Sequence, residues 1–169
     1  NKLGDDVITL GMASGLGSSC AFKVGGTCYT APFTPKPLTK AECEAQKSTL
    51  GINECCSTGY CDNKDYWAGA VKQCGGVSKM PTGAQLAELA SQMYVGNPTI
   101  GAKEDKRNIQ YDPNSPVSKA LGLTPWFFLW SGEESSSYLA YARYFDTTES
   151  QWNDYGRSYS GVRAVCLGE

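Results

Sequence analysis

The sequence predicts an α+β fold in which N-terminal helices and a disulfide-rich loop precede a short antiparallel sheet. Helix caps and helical periodicity mark three segments before residue 96, whereas the residues after 126 carry aromatic, strand-like runs. Eight cysteines, an even number, predict disulfide bonds in the irregular part of the chain. Helices followed by strands, without βα alternation, are the order of an α+β domain.

The first elements are a weak helix at 3–16, which several glycines interrupt, and a hairpin turning at Gly25-Gly26. A well-marked helix follows. Its start is a capping box formed by Thr39 and Glu42, and Gly51 stands where a left-handed C-terminal residue belongs.

The middle of the chain is predicted to consist of a loop held by disulfides and two helices. Residues 52–61 hold three cysteines and little apolar material, so we expect a loop held by disulfides. Asn63 is the predicted cap of a second helix that runs to Cys74. A second capping box, Thr82 with Gln85, predicts a third helix that stops near 96–98.

The last third changes from helical to extended patterns. An exposed loop at 99–114 precedes a helical turn that begins at Ser115-Pro116. The runs 126–130 and 138–145 are rich in aromatic residues and predict strands, with a weaker strand at 149–152 and a stronger one at 161–167. The expected core residues among these strands are Trp126, Phe127, Leu129, Trp130, Leu139, Val162 and Val165.

Length and charge limit the class of protein. A chain of 169 residues can form one domain, predicted here as 1–169, with a helical and cysteine-rich part at 1–62 and a core at 63–169. The net charge of −2 is spread without a basic stripe, which argues against nucleic acid as a partner. No apolar run is long enough to span a membrane. The start at Asn1 suggests a processed or truncated chain.

The chain contains no histidine, which excludes catalysis by a histidine base and histidine-ligated zinc. A zinc site made of Cys55, Cys56 and Cys61 is an alternative to disulfides, but the usual paired spacing is missing. The adjacent carboxylates Glu133 and Glu134 would point to opposite faces of a strand and are expected to be solvated. We therefore expect a protein that is not an enzyme.

Two groups of motifs resemble bacterial C-type-lectin-like surface domains. The segment 79–86, Lys-Met-Pro-Thr-Gly-Ala-Gln-Leu, follows a helix that carries Trp67 and Cys74 and is similar to the helix start of that family. The stretch 129–137, beginning Leu-Trp-Ser-Gly, and the stretch 161–166, Gly-Val-Arg-Ala-Val-Cys, resemble its closing strands. The resemblance covers roughly residues 64–94 and 126–167 and would make 63–169 the C-type-lectin-like core.

The resemblance implies a disulfide between Cys74 and Cys166, with the six earlier cysteines bonded among themselves in pairings left open. The family includes bacterial adhesin tips, the variable proteins of diversity-generating retroelements and, more distantly, formylglycine-generating enzymes. The chemistry of the enzyme branch needs reactive cysteines in the C-terminal half. Here the implied bridge consumes both, so recognition is the expected activity.

The C-terminal region has the composition of an evolved binding surface, in which tyrosine and tryptophan supply rigid contact area and small polar residues adapt to the ligand. The alternative is that its tyrosines only pack on a half-buried sheet. The candidate ligand-binding residues are Ser136, Tyr138, Tyr141, Arg143, Tyr144, Trp152, Asn153, Tyr155, Arg157, Ser158 and Tyr159.

The tripeptide Trp152-Asn153-Asp154 equals one that supplies calcium ligands in calcium-dependent lectins, so Asn153 and Asp154 are calcium candidates. The partner motif and a following cysteine of those lectins are missing, and no cofactor is otherwise expected.

The predicted function is recognition of a protein or glycan on another cell or surface by an extracellular or cell-surface protein. One alternative is a structural subunit of a pilus or other surface fibre, and a pilus-tip adhesin would unite the two hypotheses. Another is a calcium-dependent lectin.

Overall fold

The computed structural model describes residues 20–168, so the predicted helix at 3–16 lies outside the described residues. Within them, helices and strands are mixed, which confirms the α+β class. None of the helices between 20 and 168 is both long enough and apolar enough to cross a membrane.

A small hairpin opens the described chain, as the glycine pair predicted. Strand β1 (Phe22–Val24) pairs antiparallel with β2 (Thr27–Tyr29) through Gly25 and Gly26, whose φ angles are 54° and 85°. These left-handed angles suit glycine, which has no Cβ to clash with the backbone.

The helices begin and end mostly where local signals place them. They are α1 (Lys40–Leu50), α2 (Thr58–Cys61), α3 (Tyr66–Cys74), α4 (Gly83–Ser91) and α5 (Pro116–Leu121), with a 3-10 turn at Val77–Lys79. Both capping boxes are present, Thr39 with Glu42 and Thr82 with Gln85, and Gly51 ends α1 at φ 78°. The third predicted helix is shorter than expected, because α4 ends at Ser91.

The start of α3 corrects one prediction. Asp65, not Asn63, caps this helix, since its Oδ1 accepts a hydrogen bond of 2.9 Å from the Ala68 amide. Asn63 adopts a φ of 57° and its side chain accepts from the Lys40 amide at 3.0 Å, so it ties the loop to α1 instead. Either residue type can cap a helix, and only the path of the loop selects between them.

A four-stranded antiparallel sheet occupies the C-terminal half, in the order β3-β6-β5-β4. Its strands are β3 (Lys106–Arg107), β4 (Phe127–Glu134), β5 (Leu139–Phe145) and β6 (Glu149–Gly156). Strand β3 lies within the segment predicted to be an exposed loop.

The predicted strand at 161–167 is not a regular strand. It makes only single bridges, pairing Ala164 with Phe33, Leu167 with Tyr29 and Arg163 with Leu129 of β4. Because its hydrogen bonds go to three different segments, this stretch closes the edge of the sheet without continuous pairing along any one strand.

Apolar clusters cover both faces of the sheet. On one face, Trp130, Ala140 and Ala142 pack with residues of α1 and α3. On the other, Phe127, Leu129 and Phe145 pack with the hairpin, α4 and α5. The sheet is thus a central layer, the usual way to bury two apolar faces.

Two of the seven predicted core residues differ from expectation. Trp126 is 60% exposed, and Leu139 is only partly buried, whereas Phe127, Leu129, Trp130, Val162 and Val165 are buried. Trp126 precedes the first residue of β4, where neither packed layer covers it.

Four disulfides link all the cysteines of the chain: Cys20–Cys28, Cys43–Cys55, Cys56–Cys61 and Cys74–Cys166. The implied bridge between Cys74 and Cys166 is confirmed, as is the pairing of the six earlier cysteines among themselves. Cys55, Cys56 and Cys61 are consequently not free to form the alternative zinc site. Disulfides of this kind are typical of an oxidising compartment.

A buried ionic cluster centred on Arg157 joins four distant segments. Its Nη2 lies 2.8 Å from Asp65 Oδ2, and its Nη1 lies 3.3 Å from Glu134 Oε1. Glu134 also accepts hydrogen bonds from the Asn53 and Glu54 amides at 2.7 and 3.1 Å. The expectation that Glu134 is solvated was therefore wrong, because its carboxylate has three polar partners, Arg157, Asn53 and Glu54, that lie far away in the sequence.

Candidate functional site

An open aromatic groove lies on one face of the sheet, beyond the edge of the helical layer. It has a volume of about 400 Å³ and presents five aromatic rings and two amides. We call this surface the aromatic groove and define it by its lining residues, Trp126, Phe128, Tyr144, Gln151, Asn153, Tyr155 and Tyr159.

The antiparallel register brings most of these side chains together. Phe128 of β4 stands opposite Tyr144 of β5, which stands opposite Gln151 of β6, so the three point to the same face. Asn153 lies two residues beyond Gln151 in β6, and Tyr155 lies two residues beyond Asn153, so both share that face. Their β5 partners are alanines, whose small side chains leave the groove open.

Phe128 is the centre of the groove and is 8% exposed. The rings of Tyr144 and Tyr155 each lie with their centroids 5.0 Å from its own, and those of Trp126 and Tyr159 lie 5.6 and 5.8 Å away. Three of the four contacts are edge-to-face, the arrangement that aromatic quadrupoles favour. The surrounding rings are therefore held in place by a buried floor.

The two outer rings are the exposed part of the groove. Trp126 is 60% exposed and Tyr159 is 40% exposed. Gly161 lies directly under Tyr159, because a Cβ at this position would meet the tyrosine ring at 2.7 Å. A glycine is thus needed there for Tyr159 to fold back over Phe128.

Burial and nearby carboxylates raise the pKa of two of the groove tyrosines. The Tyr144 hydroxyl donates to Asp146, and burial together with this hydrogen bond raises the pKa of Tyr144 to about 12. Burial and the nearby Asp105 and Asp154 raise the pKa of Tyr155 to about 12. Both phenols stay protonated at neutral pH and serve as hydrogen-bond donors and apolar surface.

No protein-family model, curated protein or solved structure matches the chain, so no relative indicates what this site does. The chemistry of the groove is therefore the basis for a functional proposal.

Of the eleven candidate residues, four line the groove: Tyr144, Asn153, Tyr155 and Tyr159. Three others, Tyr141, Arg143 and Trp152, belong to the opposite face of the sheet, where Trp152 stacks on Tyr141 at 5.2 Å between ring centroids. Arg157 is fully buried. Ser136, Tyr138 and Ser158 lie outside the groove lining.

Arg143 is also fully buried, and its role in the structure is to hold a loop. Its guanidinium donates to the carbonyls of Gly101 and Glu104, at 3.4 and 3.0 Å, and to Ser150 Oγ at 3.2 Å. These contacts tie the loop before β3 to the sheet.

Tyr138 contributes to a second exposed aromatic feature. Its ring stacks on that of Tyr60 in α2, with centroids 4.1 Å apart and planes 6° from parallel. Tyr60 is 64% exposed and Tyr138 37% exposed. This pair of rings links the loop between β4 and β5 to the segment 52–61, which holds three cysteines.

Sequence reasoning missed three groove residues: Trp126, Phe128 and Gln151. Trp126 and Phe128 belong to an apolar run that predicts burial, and nothing in that run marks the end of the covered sheet. The signal for Gln151 was weak: successive side chains of a strand point to opposite faces, so Gln151 faces away from the buried side chains of Ser150 and Trp152.

The calcium tripeptide does not form a converging ligand set. Asn153 and Asp154 are neighbours in β6 and point to opposite faces of the sheet. Asp154 Oδ2 accepts from Ser135 Oγ at 2.7 Å. Among residues 20–168, no group of three histidine, cysteine, aspartate or glutamate side chains could hold a metal ion.

A larger depression of about 900 Å³ lies between the loop after α4 and the turn joining β5 to β6. It is lined by Val95, Asn108, Ile109, Gln110, Tyr111, Pro113, Thr124, Pro125, Thr147 and Thr148. The Tyr111 hydroxyl donates to the Leu123 carbonyl at 3.4 Å. Its walls present neither charged groups nor a cluster of rings, so we assign the candidate site to the aromatic groove.

Proposed function

We propose that this chain is an extracellular recognition protein that binds a protein or glycan through the aromatic groove, without chemical transformation of the ligand. The observation that carries the proposal is the meeting of five aromatic side chains at one open surface, two of them well exposed. Exposing large rings to water is unfavourable, and contiguous exposed apolar patches commonly mark interaction sites.

The rigidity of the groove supports this function. Tyrosine and tryptophan have few rotatable bonds, and here they pack on Phe128, so little side-chain entropy remains to be lost on binding. The amides of Gln151 and Asn153 add polar groups that could orient a ligand.

We further propose that the fold is of the C-type-lectin-like type. Support comes from the bond between Cys74 and Cys166, which that resemblance implies, and from the sheet that follows the helices. In such a scaffold the terminal strands and their loops would present the ligand-binding residues, as the aromatic groove does here.

The test is a double variant in which Trp126 and Tyr159 are both replaced by alanine. Labelled wild-type protein is applied to cultured cells and to a printed glycan array, and binding is compared with the variant. We expect at least about a ten-fold loss of affinity, because tryptophan and tyrosine are enriched among the residues whose truncation costs about 2 kcal/mol or more.

The matched control is Tyr60→Ala, which removes an exposed ring outside the groove. It should leave binding unchanged. The proposal is wrong if the double variant binds as well as wild type, if Tyr60→Ala causes an equal loss, or if wild type binds neither surface.

A further inference from the structure

The charge around the aromatic groove indicates which kind of ligand group it takes, if the groove is the binding site proposed above. None of its seven lining residues is charged. Aromatic faces carry partial negative charge, so an uncharged aromatic surface attracts cations and gives no such attraction to anions.

The charged groups nearest the groove tyrosines are mostly carboxylates. Asp146 accepts from the Tyr144 hydroxyl, which leaves further acceptor sites on its two oxygens. Asp105 is exposed and holds the Trp152 amide at 2.8 Å from its Oδ1. Glu149 accepts a hydrogen bond of 3.0 Å from the side-chain amide of the groove residue Gln151, so this carboxylate also borders the groove.

The basic groups in the same region are mostly occupied. Arg143 is fully buried on the other face of the sheet, where it donates to backbone carbonyls. Arg107 is paired with Glu149 at 3.2 Å. Arg163 is exposed and is not part of the groove lining; it lines a neighbouring depression that shares Trp126 with the groove. Among the described residues the carboxylate of Asp146 has no ion-pair partner, so it gives the rim of the groove a negative charge.

We infer that the aromatic groove accepts an arginine side chain of a protein ligand, whose guanidinium stacks on the exposed rings and pairs with the surrounding carboxylates. A planar guanidinium can use the rings and the carboxylates at once, because its faces stack while its edge donates hydrogen bonds. The open shape of the groove suits a side chain that projects from a partner's surface.

The test compares two short peptides that differ only in one side chain, arginine or its neutral analogue citrulline. Both are titrated into the folded protein, and binding is followed by the NMR signal of the Trp126 indole. We expect saturable binding of the arginine peptide, and binding of the citrulline peptide weaker by about five-fold or more, as the loss of one cation–π contact and one charge pair predicts.

Two variants test the two halves of the inference. Tyr159→Leu keeps apolar area but removes the aromatic face, and should weaken the arginine peptide by about three-fold or more. Asp146→Asn removes one charge and should weaken it by a similar factor. The matched control is Glu133→Gln, a carboxylate outside the groove that pairs with Lys103 at 3.3 Å, which should change nothing. Melting curves confirm that each variant is folded.

The outcomes separate this inference from the proposed function. Equal binding of the citrulline peptide, no binding of either peptide, or full affinity in Tyr159→Leu and Asp146→Asn would overturn the arginine inference. If the Trp126 and Tyr159 double variant still lost binding to cells or glycans, the proposed recognition function would stand with a different ligand. Retained binding in that variant would overturn both.

Discussion

Arg157 illustrates how one residue holds distant parts of the chain together. Its guanidinium pairs with Asp65 and Glu134, donates to the carbonyl of Glu54, and lies 4.6 Å from the centre of the Trp67 ring. The side chain is fully buried. A buried charge is tolerated only when such partners replace its hydration.

Replacing Arg157 with alanine should lower the free energy of unfolding by about 3–5 kcal/mol, because Asp65 would keep a buried charge without its partner. Urea denaturation followed by circular dichroism measures the loss. The control is Arg107→Ala, whose ion pair with Glu149 is exposed and should cost at most about 1 kcal/mol. Equal losses in the two variants would contradict this account.

The two arginines among the candidate binding residues show the limit of sequence reasoning at this scale. Arg143 and Arg157 stand in stretches rich in tyrosine, serine and asparagine, and such a context favours an exposed side chain. Their burial depends on carbonyls and carboxylates from other segments, such as Glu104 for Arg143 and Asp65 for Arg157. The composition of the surrounding sequence does not predict those contacts.

Among the elements, the two predicted capping boxes are present, whereas one predicted cap, Asn63, and one predicted strand, 161–167, are not. Thr39 and Thr82 cap their helices as predicted, since a cap involves residues only three positions apart. The stretch 161–167 has strand-like composition, yet it makes only isolated bridges because three different segments supply its partners. A hydrogen-bond partner far along the chain is decided by packing.

The disulfides should differ in their contribution to stability. The Cys74–Cys166 bond spans 92 residues and the Cys56–Cys61 bond spans 5. In the chain-entropy model, replacing the first pair by serines should cost about 4–5 kcal/mol and replacing the second about 2 kcal/mol. Urea denaturation of the two double variants measures the difference, with Cys43–Cys55 as an intermediate case.

A larger loss from the short bridge than from the long one would contradict the prediction. It would mean that the loop at 52–61 depends on its crosslink for packing as well as for chain entropy.

At the scale of the whole molecule, the groove joins parts of β4, β5 and β6 with residues that flank them on both sides. Tyr144 and Tyr155 in the groove are neutral because burial and nearby carboxylates raise the pKa of their phenols. The folded state therefore favours the protonated phenols more than the unfolded chain does.

This difference makes stability dependent on alkaline pH. The pKa of Tyr144 and Tyr155 is about 12 in the folded protein, against an ordinary value of 10. Their contribution is fully present below pH 10 and is lost as the pH rises through about 12. Denaturation measured across that window should show falling stability, and the slope should be smaller in Tyr144→Phe, which cannot ionise. An unchanged slope would contradict the assignment.

By itself, the sequence determined the two capping boxes, the glycine turn, the presence of disulfides and the α+β order, because each depends on residues close together or on composition. It also pointed to Tyr144, Asn153, Tyr155 and Tyr159 within a wider set of candidates. Only the tertiary structure decided that Trp126 is exposed, that Phe128 forms the floor of the groove, and that two arginines are buried. The physical reason is that exposure depends on which parts of the sheet the helices cover, and that is a property of packing between segments distant in sequence.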